Sequence, residues 1–368
     1  MNSFATQSLS AFSSQLKREL TSILKFIQGD FPIYILIGIV TLTVTTFAHL
    51  NGFSNHISLF AYMYAMPFVV LITLSVVGVG YFFILAARRE PRPIQCYLNL
   101  LKVAFNHRAR LCAAFVLLTA ISVFISSFST MKGLIPLVHP FEFDLLFHDL
   151  DFWLLGGHEP WLVFHSIFTS PYVTLAINYS YKIWFFLLWG TLSYFLLLRP
   201  SGLRSQYLLS WILCWTILGM VVAMTLSCAG PAFTARLNPT NHDYDALMFI
   251  LNQHNLWLES HQLTGVMALK TQDDLWHAYA NGKEMLGSGI SAMPSMHVSM
   301  AVLMMLGMNK VNKKLGILFG LFASIIFVGS FSLGWHYMID GLVSGPMTLF
   351  IWRATGRFVS SLSLPKEI

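Results

Sequence analysis

Long apolar runs, broken by short polar or basic segments, dominate the pattern along the chain. Eight runs approach the ~20 apolar residues that a membrane-spanning helix needs. They cover 31–50, 59–87, 110–130, 172–198, 206–227, 296–309, 314–331 and 334–352. The sixth is short because Asn309-Lys310 closes it early. In lipid the backbone must satisfy its own hydrogen bonds, which helices do within one segment. The pattern therefore predicts an all-α fold, a polytopic membrane helix bundle of about eight transmembrane helices.

The basic residues orient these runs. Segments 1–30, 88–109, 199–205 and 310–313 and the stretch after 352 carry most of the 22 Lys and Arg, among them Arg88, Arg89, Arg92 and Lys310. Cytoplasmic loops carry an excess of Lys and Arg, so these segments are expected inside, with both termini cytoplasmic. The alternate segments 131–171 and 228–293 are long and are expected on the extracytoplasmic face. They hold eleven Asp/Glu against four Lys/Arg (Lys132, Arg236, Lys270 and Lys283). Loops of this length in a compact protein usually carry function or helices of their own. Aromatic and acidic residues such as Phe143, Asp144, Phe147 and Trp153 predict an interfacial helix in the first.

Four regions follow. Residues 1–30 form an N-terminal cytoplasmic segment, either a weakly amphipathic surface helix or a disordered tail to about residue 14. Residues 31–130 hold accessory transmembrane helices. Residues 131–352 form a membrane core with its external loops, and 353–368 form a cytoplasmic tail.

Composition agrees. The chain of 368 residues is 56% hydrophobic and 10% charged, where a soluble domain carries about 25% charged residues. The net charge of +6 follows from basic residues at helix ends, and no Lys/Arg run is interleaved with aromatics as a nucleic-acid groove requires. No nucleic-acid partner is expected. Cys96, Cys112, Cys214 and Cys228 lack CxxC spacing, which argues against a disulfide framework or zinc site. His242, His254, His261 and His277 lack ligand-like spacing, so no metal and no cofactor is expected.

Two short motifs carry the candidate chemistry, Pro294-Ser295-Met296-His297 and Gly334-Trp335-His336-Tyr337-Met338-Ile339-Asp340. Each is expected at the outer start of a helix, which brings His297 and His336 to similar depth. Ionisable groups at membrane depth are costly and usually mark function. Asp340 is four residues beyond His336, on the same face if both are helical. A carboxylate there fixes the imidazole tautomer and leaves the other nitrogen free to attack. Ser295 adds a hydroxyl beside the unpaired amides of a helix start, which suit a phosphate.

Together the motifs resemble those of the type 2 phosphatidate phosphatase superfamily, whose second and third motifs are P-S-G-H and S-R-x5-H-x3-D. Met293-Pro294-Ser295-Met296-His297 and Gly334-Trp335-His336-Tyr337 resemble the branch of inositol phosphorylceramide synthases more closely. Phe143 to Gly157 and Cys228-Ala229-Gly230-Pro231 are less specifically similar to it. The resemblance spans roughly residues 140–350. It implies a metal-independent integral membrane enzyme that cleaves or transfers a lipid phosphate ester. His336 would be the nucleophile, forming a phosphohistidine. Asp340 would orient it, His297 would be the general acid and then the base, and Ser295 would contact phosphate.

The chain departs from the family in its cations. Ser330 stands where the third motif has Arg, and the K-x6-R-P motif is absent. A phosphate monoester dianion needs charge neutralisation, so these losses favour a phosphodiester and head-group transfer. Lys182, within the fourth run, and Arg236 are the candidate replacements, with Lys270 and Lys283 behind them. Lys182 either meets an anion or snorkels to the interface, and Arg236 is either a clamp or a solvated loop charge. The expected partners are a membrane phospholipid and an alcohol or lipid acceptor. The expected place is a bacterial inner membrane or, in a eukaryote, a secretory-pathway membrane, with the site extracytoplasmic. A lipid phosphate or polyprenyl diphosphate phosphatase is the rival enzyme. A non-catalytic lipid-binding or transport protein is the rival of another class, although no Gly/Pro-broken helix pair of the transporter kind is present.

Overall fold

The structure, a computed structural model, describes residues 2–282 and 289–362. Among the described residues every regular element is helical. Each of the eight apolar runs lies on a helix. Four helices are long and apolar enough to cross a membrane by themselves: Phe31–Leu50, Arg108–Val138, Gly202–Thr225 and Lys313–Ser332. The chain is a helical integral membrane protein.

Helix α1 (Asn2–Gly29) replaces the alternative of a disordered tail. Leu16, Leu20 and Leu24 form an exposed stripe along it, the geometry of a helix lying on a membrane surface. After α2 (Phe31–Leu50) and α3 (Ala61–Ala87), helix α4 (Pro93–Asn106) fills a segment expected as a basic loop. Its exposed Ile94, Leu98, Leu101 and Phe105 follow helical spacing, so it too presents an apolar face outward.

Helix α5 (Arg108–Val138) is longer than the expected span, running through Pro136. At ~1.5 Å per residue it is about 46 Å long, more than the ~30 Å hydrocarbon thickness. Its final turns thereby carry Lys132 into helix rather than loop. Two short helices follow, α6 (Asp144–Leu154) and α7 (Pro160–Ile167), in the first long segment.

Helix α8 (Pro171–Leu197) starts at an N-cap, Ser170, whose hydroxyl accepts the Tyr172 amide, with Pro171 at the first helical position. Helix α9 (Gly202–Thr216) continues through a π turn at Ile217–Val222 into α10 (Ala223–Thr225). The second long segment holds α11 (Thr234–Leu237), α12 (Asp245–Ser260) and α13 (Met267–Ala280). The last three helices are α14 (Met296–Val311), α15 (Lys313–Ser332) and α16 (Met338–Ser361). Helix α16 starts four residues later than expected, leaving His336 in the preceding turn. It also runs beyond residue 352, so the first part of the expected tail continues the helix.

Helices α8, α9, α14, α15 and α16 pack together as the centre, and α2 and α5 pack against α9 and α8. Ile33, Ile37, Leu117 and Phe124 from the front of the chain share one buried cluster with Trp211, Met300 and Trp352. The helices expected as accessory are therefore built into the same core. Polar ties cross between helices: Ser299 with Thr348 at 2.7 Å and Ser210 with Thr355 at 2.6 Å. Such bonds hold membrane helices in register where lipid supplies no hydrophobic drive. At the opposite end from the long segments, Arg204 forms a buried two-pronged pair with Asp30, including an Nη2–Oδ2 bond of 2.9 Å.

Candidate active site

Three loops converge at one end of the bundle: 228–232, 290–295 and 330–337. The Ala292 amide donates to the Cys228 carbonyl at 3.0 Å, and the Ala232 amide donates to the Gly334 carbonyl at 3.0 Å. Gly230 is required at this crossing. Its φ is +99°, and a Cβ there would lie 2.7 Å from the Trp335 carbonyl oxygen. Trp335 and His336 both donate their amides to the Ser330 carbonyl, at 3.1 and 2.9 Å. Ser330, in the place of the family arginine, is thus a buried turn former.

His336 is 5% exposed and Asp340 fully buried. His336 Nδ1 lies 2.7 Å from the Ala292 carbonyl oxygen and 3.3 Å from Asp340 Oδ2. The carbonyl can only accept, so Nδ1 carries a proton, and in the neutral ring the lone pair is on Nε2. The expected pairing with Asp340 is present, but the shorter bond goes to the backbone. The two residues do not share a helix face, because His336 precedes the N-cap Tyr337. Asp340 is the third helical residue and its Oδ2 accepts the Tyr337 amide at 3.0 Å, closing a capping box.

His297 sits in the first turn of α14, packed against Trp184 (ring centroids 4.4 Å) and Tyr181 (4.8 Å). Its ring faces His336 across 6.0 Å. Trp184 Nε1 donates to the His297 carbonyl at 3.0 Å, which ties α8 to α14 at this level. The two expected histidines and the carboxylate are therefore brought together.

The expected phosphate contacts are placed differently. Ser295 is fully buried and its hydroxyl accepts the Val298 amide at 3.4 Å as the N-cap of α14. Arg236 pairs with Asp273 and lies over the Trp276 ring, 5.9 Å from its centroid, and is not among the residues that line the cavity beside the histidines. Lys270 is exposed and pairs with Asp274 at 2.8 Å. Lys283 lies outside the described residues. Lys182 does line the cavity described next, and its Nζ donates to Thr271 Oγ1 at 3.3 Å.

A cavity of about 600 Å³ opens beside the histidines, with His297, His336, Ser291, Lys182 and Lys132 on its wall. Lys132, on α5, was readable in the sequence only as a loop charge. Its stem packs on Gly289, where a Cβ would lie 3.0 Å from Lys132 Cγ. It has no carboxylate partner among the described residues. Two lysines from different helices thus line the cavity that the imidazoles also line. Among the described residues no group of three His, Cys, Asp or Glu could hold a metal ion.

Two carboxylates on α6 hold the site from outside. Asp144 accepts the amides of Ala229 (2.9 Å) and Gly230 (2.8 Å) and the Tyr337 hydroxyl (2.8 Å). Asp151 accepts the amides of Met338 (2.6 Å) and Ile339 (2.8 Å), the free donors at the start of α16. The seven-residue spacing puts both on one helix face, and that spacing was the only sequence signal for the pair. Burial pushes the Asp151 carboxyl up to about 7, against the pull of its two amides and with the Asp340 and Glu159 charges adding to the rise.

This shift has a sign. The folded chain keeps the Asp151 proton up to about pH 7, whereas the unfolded chain releases it near pH 4. Stability therefore falls as pH rises through that window. Asp151→Asn carries no titrating group, so its thermal midpoint is expected to fall less than that of the wild type between about pH 4 and 7. Tryptophan-fluorescence melts in detergent check this, and parallel pH profiles of the two proteins would contradict it.

The family model described as the PAP2 superfamily matches residues 145–354, more than half of the chain, so the chain belongs to that superfamily. Members are phosphatases and phosphotransferases of lipid phosphate esters, which makes the chain an enzyme of that chemistry. No curated protein and no solved structure matches the chain.

Proposed function

We propose that the protein cleaves a phosphate ester of a membrane lipid and passes the phosphoryl or phospho-head-group to an acceptor through a covalent adduct on His336. The observation that carries this reading is the facing pair of imidazoles. His336 holds Nδ1–H against Ala292 and Asp340, which leaves Nε2 free, and His297 stands 6.0 Å away across the cavity. In the first step Nε2 attacks phosphorus, the P–O bond to the leaving alcohol breaks, and His297 gives that oxygen a proton. In the second step His297 takes a proton from the acceptor hydroxyl, whose oxygen attacks phosphorus and frees His336. Asp340 and the Ala292 carbonyl stabilise the positive imidazole ring of the intermediate.

Lys182 and Lys132 are the cations that meet the phosphate in this reading, in place of the absent family arginine. They act as point charges. Asp144 and Asp151 hold the turn and helix that carry His336 and Asp340, and Ser295 holds the start of α14. Lys132→Met and Lys182→Met are each expected to lower kcat/KM about 100-fold, the scale of one lost electrostatic contact to the transition state. Steady-state rates with a monoalkyl phosphate check this, and unchanged rates in both variants would remove the lysines from the site.

The absence of the third-motif arginine and of the K-x6-R-P cations suits a singly charged phosphodiester. This supports head-group transfer to an alcohol, with hydrolysis as the outcome when water is the acceptor. The spelling Met293-Pro294-Ser295-Met296-His297 supports a place near the inositol phosphorylceramide synthases. The basic residues cluster away from the site's end of the bundle, which supports an extracytoplasmic active face.

The test uses purified protein in nanodiscs with a phosphate-labelled phospholipid pool, wild type beside His336→Ala. New labelled lipid that disappears in the variant supports transfer. Free phosphate that disappears supports hydrolysis. Identical product traces from the two proteins would sink the reading.

A further inference from the structure

The cavity does not stop at the histidines. On three helices its lining steps from the loop end of the bundle towards the middle, with Lys132 to Ile125 on α5, Asn178 to Trp189 on α8, and Ala223 to Trp211 on α10 and α9. Along α8 that is eleven residues, about 16 Å at ~1.5 Å per residue. Polarity is segregated along this path. Lys132, Asn178, Lys182, His297 and His336 surround the outer end, while Ile125, Leu188, Trp189, Trp211 and Trp215 wall the inner end. Ile125, Leu188 and Trp211 are buried within the bundle. Phe185, which also lines the cavity, is half exposed on the outer surface of α8 and marks its edge towards lipid.

The chain makes room for this space. The π turn at Ile217–Val222 interrupts the regular winding of the helix, and such turns frequently sit at functional sites. Gly219, inside the turn, lines the cavity and meets Phe128 so closely that a Cβ would lie 2.7 Å from Phe128 Cε2. Phe128 and Lys132 belong to α5, outside the matched family region 145–354.

We infer that this well takes one hydrocarbon chain of the substrate, so that the lipid is bound by a single enclosed chain of acyl length with its phosphate held between Lys132, Lys182 and the two histidines. The inference rests on the phosphate-ester reading of the histidine site and deepens it. A volume of about 600 Å³ equals on the order of twenty groups the size of a water, at ~30 Å³ each. One acyl-length chain fills a space of that size. The walls are apolar and aromatic, the lining usual for buried apolar ligands. A second chain, where the lipid has one, stays in the bilayer beyond Phe185.

The experiment uses octyl, dodecyl, hexadecyl and eicosyl phosphate as probes, with the full chain in nanodiscs. Turnover is read as phosphate release. Binding is read separately with probes brominated at the chain end, which quench tryptophans they reach. The fillers Gly219→Leu and Leu188→Trp are compared with wild type, and two fillers at different levels guard against one misfolding. Wild-type kcat/KM is expected to rise from octyl to hexadecyl phosphate and not to rise further with eicosyl. In the fillers the hexadecyl rate falls about tenfold while the octyl rate is retained. The brominated hexadecyl probe quenches wild type and His336→Ala alike, and quenches Trp211→Phe/Trp215→Phe markedly less.

Fillers that lower all chain lengths equally, or quenching that is the same with and without Trp211 and Trp215, would overturn the enclosed-chain inference. Quenching assigned to Trp211 and Trp215 without turnover of any of these probes, or of a phosphodiester carrying the same hexadecyl chain, would leave the well standing and remove the phosphoryl chemistry. The two readings thus fail separately.

Discussion

His336→Ala is expected to abolish turnover, with a loss of about four orders of magnitude or more, the scale seen when the nucleophile of a coupled catalytic unit is removed. The loss is large because no other group among the described residues can replace Nε2. His297, 6.0 Å away across the cavity, lacks the Nδ1 anchoring that Ala292 and Asp340 give His336. The fold should tolerate the change, since the turn around residue 336 is held by backbone bonds to Ser330 and by Asp151 on the start of α16. An unchanged thermal midpoint beside lost activity is therefore the expected pair of results. A variant that keeps a tenth of the wild-type rate would exclude His336 as nucleophile.

His297→Gln should cost about 10²- to 10⁴-fold on lipid substrates, the usual contribution of a positioned general acid. The size depends on the leaving group. An alkoxide leaves poorly without a proton, so the full penalty applies. An aryl oxide such as p-nitrophenolate leaves unaided, so the first step with an aryl phosphate should be nearly unaffected in the variant. Stopped-flow detection of p-nitrophenolate separates the cases. A burst of normal rate followed by slow turnover is expected, because His297 is also needed to deprotonate the acceptor. Equal penalties for alkyl and aryl substrates would show that His297 shapes the site rather than transfers the proton.

Much of this arrangement was legible from particular residues. The apolar runs give the helices, because a spanning segment has little choice of backbone structure. Asn309-Lys310 marks the end of α14 one residue before its observed last helical residue, Val311. The two motifs give His297, His336 and Asp340, because ionisable groups in apolar text are conspicuous.

What was not legible depends on contacts between distant parts of the chain. Asp144 and Tyr337 are separated by 193 residues and bond at 2.8 Å, and nothing local predicts it. Lys132 follows the apolar run 110–130 and so reads as a loop charge, yet α5 continues to Val138 with Pro136 in its last turn. Ser295 reads from the sequence as a phosphate donor, whereas in the fold it is buried as the cap of α14 and is not among the residues lining the cavity. Arg236 was a plausible clamp by position, but Asp273 and Trp276 occupy it. The π turn at Ile217–Val222 has no signature in side-chain periodicity, so the widened wall of the cavity was invisible. Helix α4 was hidden by its basic flanks, although Ile94, Leu98, Leu101 and Phe105 already carry helical spacing.

The most direct test of the account is to trap the covalent adduct. His297→Gln, which should form the intermediate from an aryl phosphate and discharge it slowly, is mixed with labelled p-nitrophenyl phosphate, quenched in base and digested. The account predicts label that is stable in base, lost in mild acid and found on the peptide containing His336, and no label when His336→Ala is added to the same chain. Label on another residue, or product formed at the normal rate with no adduct at any time, would contradict it.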